Sequence, residues 1–252
     1  MPFRAAVSGW GAELPTTIVT NADLEARLDT SDEWIVERTG IRERRVAAAN
    51  ETTASLGAAA AAAALKQAGL GPDDIDVLIV ATATPEQPMP ETSAFIHEQL
   101  SLTCGAFDVG AACAGFTYAL INGAALISSG MHRRVLVVGA ETYSRIVDPE
   151  DRSTAILFGD GAGAIVLERS PSEDATEGPG VIAWDMGCDG SAAGILEVPA
   201  GGSRLPTSPE TLADGRNWLH MDGQEVFRRA VRCVVDSVRA TLDRAGFTPG
   251  DL

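Results

Sequence analysis

The chain has 252 residues, 45% of them hydrophobic and 21% charged, with a formal net charge of −16, a length that holds one large domain or two modest ones. The acidic balance argues against general nucleic-acid or anionic-membrane binding, both of which want a basic surface. No apolar run reaches the ~18 residues needed to span a bilayer, and the N-terminus has no charged segment leading into an apolar one, so a cytoplasmic protein is expected.

Short β-branched runs alternate with Ala-rich stretches, the pattern of a layered α/β architecture. RAAVSGWGAELP (4–15) opens as a strand. TTASLGAAAAAAALKQAGL (52–70) predicts a helix opened by Thr52 or Thr53 and stopped by Gly69. VLIVATAT (77–84) reads as a buried strand, AGFTYALINGAALISSG (114–130) as a helix ending at Gly130, and VLVVGAET (135–142) and AIVLER (164–169) as further strands. SPSEDATEGPG (170–180) is polar and rich in turn formers, a connection between two halves, 1–170 and 171–252. VIAWDMGCDG (181–190) then starts a fresh strand, and 201–217 reads as an exposed loop. From Met221 an amphipathic helix runs to about Ala245 with Val226, Phe227, Ala230, Val231, Val234, Val235 and Val238 on one side. GFTPGDL then makes a turn and a new start, so the second half is either a small domain or one that continues past Leu252.

Four cysteines, Cys104, Cys113, Cys188 and Cys233, fall without C-x-x-C or Cys/His metal spacing. They read as free thiols, most of them small buried hydrophobes, with no metal site. Cys113 stands apart. In AFDVGAACAGFTYAL (106–120) an apolar strand leads through Gly110 and two alanines to the cysteine, and a helix follows. Small neighbours leave the sulfur accessible. Backbone N–H groups at a helix N-terminus favour a negative sulfur and can hold a developing oxyanion. A buried structural cysteine at such a junction is equally compatible with this segment taken alone.

Two other segments carry a chemical reading. FGDGAGA (158–164) has no following Lys-Ser/Thr and leads into a strand, so a tight β-turn with close backbone packing is expected and not a phosphate loop. DTSDEWIVERTGIRERR (29–45) places Trp34 and Arg38 four residues apart on a short helix, with Arg42, Arg44 and Arg45 behind them. An aromatic face beside guanidinium groups suits an adenine ring and phosphates, and equally a core tryptophan with surface arginines. Along RRAVRCVVDSVRATLDR (228–244), arginines outnumber acids on an otherwise acidic chain, a candidate docking face for an acidic partner or simply a solvated face.

The motifs TNADLE, DTSDEWIVERTGIRER, FDVGAACAGFTYAL, DPEDRSTAILFGDGAGA, the DGS turn at 189–191 and MDGQEVFRRAV follow one another along the whole chain. Together they resemble β-ketoacyl-acyl-carrier-protein synthase III, the condensing enzyme that starts bacterial type II fatty-acid synthesis. The resemblance implies a thiolase-like α/β fold of two related βαβαβ-type halves in a layered α/β/α/β/α arrangement, the second half cut short. It implies that Cys113 is acylated by a primer acyl-CoA, with CoA thioesters as substrates and no cofactor. Trp34 and Arg152 look like the pair that sandwiches the CoA adenine, and Arg38 like a further CoA contact. Phe158 and Leu196 match the acyl pocket, and Met221 and Phe227 the pantetheine tunnel. Arg228, and with it Arg232 on the same helix, falls where the family presents basic residues to acyl carrier protein. Met89 matches the position that a partner protomer inserts into the active site of family homodimers, which points to a short primer such as acetyl. The family's second stage, decarboxylative condensation with malonyl-acyl carrier protein, uses a His in Pro-His-Gln-Ala-Asn and an Asn in Gly-Asn-Thr-Ser. Neither segment occurs in these residues, and His97, His132 and His220 do not match them. The resemblance therefore implies a piece of a longer product that acylates without condensing. The alternatives are a homologue that primes or transfers acyl groups in secondary metabolism, and a non-condensing fragment that binds CoA or the carrier.

Overall fold

The computed structural model describes residues 3–170 and 178–252, so most of the polar connection at 170–180 lies outside the described residues. In chain order the elements are β1 (Ala5–Glu13), β2 (Thr17–Thr20), α1 (Asn21–Glu25), α2 (Asp32–Thr39), β3 (Glu43–Val46), α3 (Thr53–Ala68), β4 (Val77–Ala81), α4 (Thr92–Gln99) and β5 (Gly105–Val109). They continue with α5 (Gly115–Ser128), β6 (Arg134–Thr142), α6 (Arg152–Ala155), β7 (Asp160–Arg169), β8 (Leu196–Glu197), α7 (Pro209–Ala213), β9 (His220–Met221) and α8 (Gly223–Ala245). The chain forms two compact units, neither continuous in sequence. The first gathers 1–17, 45–142 and 160–182; the second gathers 18–44, 143–159 and 183–252.

The first unit is an α/β layer structure around a five-stranded sheet of order β1-β7-β6-β4-β5. β4 runs parallel to both β5 and β6, and β7 runs antiparallel to β6 and β1. Alternation along the strands sends Leu78, Val80, Leu136 and Val138 to one face, where α3 and α4 cover them. Val77, Ile79, Val135 and Val137 face the other way onto α5. Both faces are therefore dry, which is why β4 reads as an unbroken apolar run. α3 begins at Thr52, whose hydroxyl accepts from the Ser55 N–H at 3.2 Å, and ends at Gly69 with φ +71°. Its small residues let β1 approach closely: a Cβ at Gly11 would lie 2.4 Å from the Ala60 carbonyl oxygen.

Three expectations are corrected here. FGDGAGA is not a tight turn, because Asp160 already begins β7 and Gly161 and Gly163 pair across to β6. Partner strands on both sides satisfy its backbone and override the turn preference of its glycines. Residues 181–189 form no strand: Val181 donates to the Ala5 carbonyl, and no ladder continues from it. The loop over 201–217 contains α7, started by Pro209 and a capping box between Ser208 and Thr211.

The second unit has small clusters in place of a large sheet. Leu24, Ile35 and Ile156 form one, with Trp34 and Leu157 packed on it. Val147, Ala155 and Leu219 form another, flanked by Tyr143, Phe158 and Leu196. α8 is amphipathic, but its apolar side faces solvent: Phe227 is 72% exposed and Val234 61%, with Val231, Val235 and Val238 also exposed. Among its residues only Leu242 is buried.

Candidate active site

Cys113 lies where the parallel strand β5 gives way to α5. The chain leaves β5 at Val109 and folds into a 3-10 turn over Ala112–Ala114, closed by the Ala114 N–H donating to the Ala111 carbonyl at 3.0 Å. Ala112 has φ +43°, a left-handed conformation that side chains with a Cβ rarely adopt. Cys113 is exposed, and α5 starts two residues later with no side chain capping it. The Gly115 N–H is taken by the Ala112 carbonyl, but no side chain caps this fourteen-residue helix, so the positive end of its dipole favours a negative oxygen or sulfur there. A sharp turn, an open sulfur and uncapped donors are what acyl transfer to a thiol needs.

The seat of this turn is tight. Gly115 opens α5 so close to β4 that an added Cβ would meet the Ala81 Cβ at 3.3 Å, and Phe116 lies against Gly139 of β6, where a Cβ would come within 3.0 Å of its ring. Two carboxylates missed in the sequence brace the surrounding backbone. Asp108, on β5, accepts from the Thr92 and Ser93 N–H groups, both at 2.8 Å, and so caps α4 from a neighbouring strand. Glu141, near the end of β6, accepts from the Ala83 N–H at 2.8 Å and the Thr84 hydroxyl at 2.6 Å. Burial pushes the Glu141 carboxyl above its ordinary value, against the opposing pull of those hydrogen bonds. Together they hold the ends of the 82–91 loop, which carries Met89, itself 81% exposed. Glu-Thr and Phe-Asp-Val show no spacing that would reveal such long-range caps.

The cysteine expectations change. Cys188 and Cys233 are exposed like Cys113, and only Cys104 is partly buried, its thiol pushed up by desolvation. Cys188 falls in the strandless 181–189 stretch and Cys233 on the outward side of α8, so no core encloses them. His97 is engaged with the Cys104 carbonyl at 3.0 Å and His220 with the Gly215 carbonyl at 3.0 Å.

The second unit gathers the residues assigned to CoA. Ser31 caps α2 by accepting from the Trp34 N–H at 3.1 Å, and Gly40 ends it at φ +72°. One helical turn apart, Trp34 and Arg38 meet: the Arg38 guanidinium carbon is 4.3 Å from the Trp34 ring centre. Arg152, the first residue of α6, brings its guanidinium carbon to 4.9 Å from the same ring and donates to the Asp29 carbonyl at 2.8 Å. Of the arginines behind Trp34, Arg44 is buried and turned inward, so it is withdrawn from any phosphate-binding role. Phe158 stacks on Tyr143 with ring centres 4.9 Å apart, and Leu196 packs in the same cluster. Met221 lies directly across the β8–β9 pair from Leu196. Phe227 stands apart from that cluster, exposed on the second turn of α8.

The basic helix is less basic than its sequence. Arg228 makes two bonds to Glu225, and Arg229 bonds both Glu225 and Asp189. These guanidinium groups hold the Glu225 carboxyl down at about 2. Arg244 pairs with Asp185 at 2.7 Å. Arg232 and Arg239 have no acidic partner among the described residues.

A family model for 3-oxoacyl-[acyl-carrier-protein] synthase III matches residues 107–190, the stretch around Cys113. The β-ketoacyl-[acyl-carrier-protein] synthase III of Erythrobacter litoralis is 48% identical over 251 residues, covering 99% of this chain and 75% of the relative. A solved 3-oxoacyl-(acyl carrier protein) synthase III from Pseudomonas aeruginosa is 41% identical and superposes with a TM-score of 0.87, covering 99% of this chain and 73% of that one. A priming β-ketosynthase of a polyketide biosynthetic pathway is 39% identical with a TM-score of 0.86, covering 100% of this chain and 74% of that one. These likenesses, with the mixed α/β sheet, define an acyl-transferring condensing enzyme of thiolase fold. The chain belongs to the 3-oxoacyl-[acyl-carrier-protein] synthase III family. It spans about three quarters of the length of the relatives it matches. No helix among the described residues is long and apolar enough to cross a membrane.

Proposed function

We propose that this chain takes part in the initiating condensation of type II fatty-acid synthesis, with Cys113 as the acyl acceptor. The observation that carries the reading is the exposed Cys113 on its positive-φ turn at the uncapped start of α5. The sulfur attacks the thioester carbonyl of a primer acyl-CoA. The new carbon–sulfur bond forms as the bond to CoA breaks, and CoA leaves as the thiol with the proton that Cys113 gave up. In the family's second stage malonyl-acyl carrier protein loses carbon dioxide, and its enolate carbon attacks the acyl-cysteine carbonyl. That step releases the Cys113 sulfur and gives 3-oxoacyl-acyl carrier protein.

The remaining residues take their roles within this reading. Trp34 and Arg152 hold the adenine between them, and Arg38 adds a second cation at the same ring, supported by the distances above. Phe158 and Leu196 line the acyl pocket, and Met221 and Phe227 the pantetheine path. Arg228 and Arg232 face the acidic carrier, Arg232 as a cation with no acidic partner among the described residues. The functional form is a cytoplasmic homodimer in which Met89 of one protomer limits primer length in the other, favouring acetyl. An open edge at β5, with Phe107 40% exposed, supports such pairing.

The His and Asn segments that stabilise the malonyl enolate do not occur in these 252 residues. Within the reading, these residues carry the acylation stage. Each missing donor is worth ~3 kcal/mol of transition-state stabilisation by analogy with oxyanion-hole deletions. Incubation of the protein with acetyl-CoA should give an acetyl-enzyme that a Cys113→Ala variant does not form. A folded protein that binds CoA but is not acetylated would contradict the reading.

A further inference from the structure

Trp34 and Arg38 stand on α2, whereas Arg152 comes from a segment far along the chain, so something must hold the two pieces in register. Arg44 does this. Its guanidinium donates through Nη2 to the Ile156 carbonyl at 2.6 Å and through Nη1 to the Asn21 side-chain oxygen at 2.9 Å. Asn21 in turn donates to the Asp32 carboxylate at 2.7 Å and to the Ile41 carbonyl at 2.8 Å. Asp32 is the first residue of α2, and Ile156 lies four residues after Arg152 with its side chain in the cluster on which Trp34 packs. One side chain thus joins the start of the helix bearing Trp34 to the backbone bearing Arg152.

The arrangement is costly for mere packing. Arg44 is only 6% exposed, no carboxylate pairs with it among the described residues, and its Nε has no acceptor. A buried cation answered only by carbonyl and amide oxygens is a poor stabiliser, and an apolar chain of similar volume would serve a core better. The guanidinium fork is suited to a different task, holding two backbone segments at a fixed separation. An adenine between Trp34 and Arg152 needs ~7 Å, two van der Waals contacts of ~3.5 Å. The Arg152 side chain, at 4.9 Å, must then swing outward while its backbone stays in place.

We propose that Arg44 is the positioning residue of the adenine clamp: by tying Ile156 to the start of α2 it sets the Trp34–Arg152 spacing, and so governs affinity for the nucleotide end of CoA. The inference rests on the reading of Trp34 and Arg152 as that clamp. Calorimetric titration of the protein with CoA and with pantetheine, which lacks the nucleotide, tests it. The wild-type protein should bind CoA at least about tenfold more tightly than pantetheine, from stacking on one aromatic ring. Arg44→Lys keeps the charge but not the fork, and should weaken CoA about tenfold while leaving pantetheine within about twofold. A purely structural role would weaken both ligands alike, and that result, or an unchanged CoA affinity, overturns the proposal. Asn21→Ser breaks the same link from its other side and should shift CoA alone in the same direction. If Arg44→Lys does not fold, Asn21→Ser decides: equal loss for both ligands, or none, overturns the proposal. A wild-type protein with no preference for CoA would remove the clamp reading itself, and this inference with it.

Discussion

Replacing Ala112 tests whether the turn that aims Cys113 is held under strain. Ala112 adopts φ +43° and is exposed, so its neighbours impose no packing limit on a larger side chain. A left-handed conformation costs a residue with a Cβ ~1–2 kcal/mol. Ala112→Gly relieves that cost, but the freer unfolded chain gives back ~0.4–1 kcal/mol. The net expectation runs from no change to a gain of about 1.5 kcal/mol, unlike most Ala→Gly changes, which destabilise. Ala112→Val moves the other way: a β-branched residue at positive φ should destabilise by ~1–3 kcal/mol. Urea unfolding reads both values. Acylation of Cys113 by acetyl-CoA, followed by intact mass, reads the aim of the sulfur. A displacement of ~1 Å at a reacting atom is worth roughly a hundredfold in rate, so Ala112→Val should acylate far more slowly even where it is fully folded. A valine variant with wild-type stability and acylation rate would refute the strained-turn argument.

Trp34→Ala should weaken CoA by roughly 5- to 150-fold, the equivalent of ~1–3 kcal/mol for one stacked base, and leave pantetheine affinity nearly unchanged, as competition binding would show. Glu141 titrates in the opposite sense to a paired surface acid. Its folded pKa is raised by burial above the ordinary 4.5, so its contribution to stability is present below pH 4.5 and is lost as pH rises through the raised value. Glu141→Gln should flatten that slope in urea midpoints measured from pH 4 to 8; identical slopes would contradict it. Arg232→Glu should weaken association with acyl carrier protein roughly three- to tenfold at low salt, an effect that 0.5 M NaCl should largely abolish.

Much of the first unit was legible because local signals agreed with tertiary needs. Thr52 and Gly69 bound α3 as their capping chemistry requires, and the unbroken apolar run of β4 reflects helices on both faces. In FGDGAGA the glycines do allow close backbone packing, but between paired strands and not at a turn. The stretch at 181–189 misled because β-branched residues predict a strand only where a partner ladder exists. In the candidate site, the strand–helix junction at Cys113 and the Trp34–Arg38 contact could be read because short spacing carries their geometry. Arg152, Phe158, Leu196, Met221 and Phe227 came only from resemblance, since the fold brings distant segments together. Arg44 was grouped with the phosphate-facing arginines because a sequence cannot show which way a side chain turns. The exposed valines of α8 show the same limit: periodicity marks an apolar side but not what covers it.

The central claim is that Cys113 accepts an acyl group from CoA. Intact-mass analysis of the protein after incubation with acetyl-CoA, with peptide mapping and a Cys113→Ala control, tests it most directly. One acetyl group per chain, mapped to Cys113 and absent from the control despite exposed Cys188 and Cys233, is the predicted result. Equal labelling of the control, or no acetylation of a folded protein that binds CoA, would contradict it.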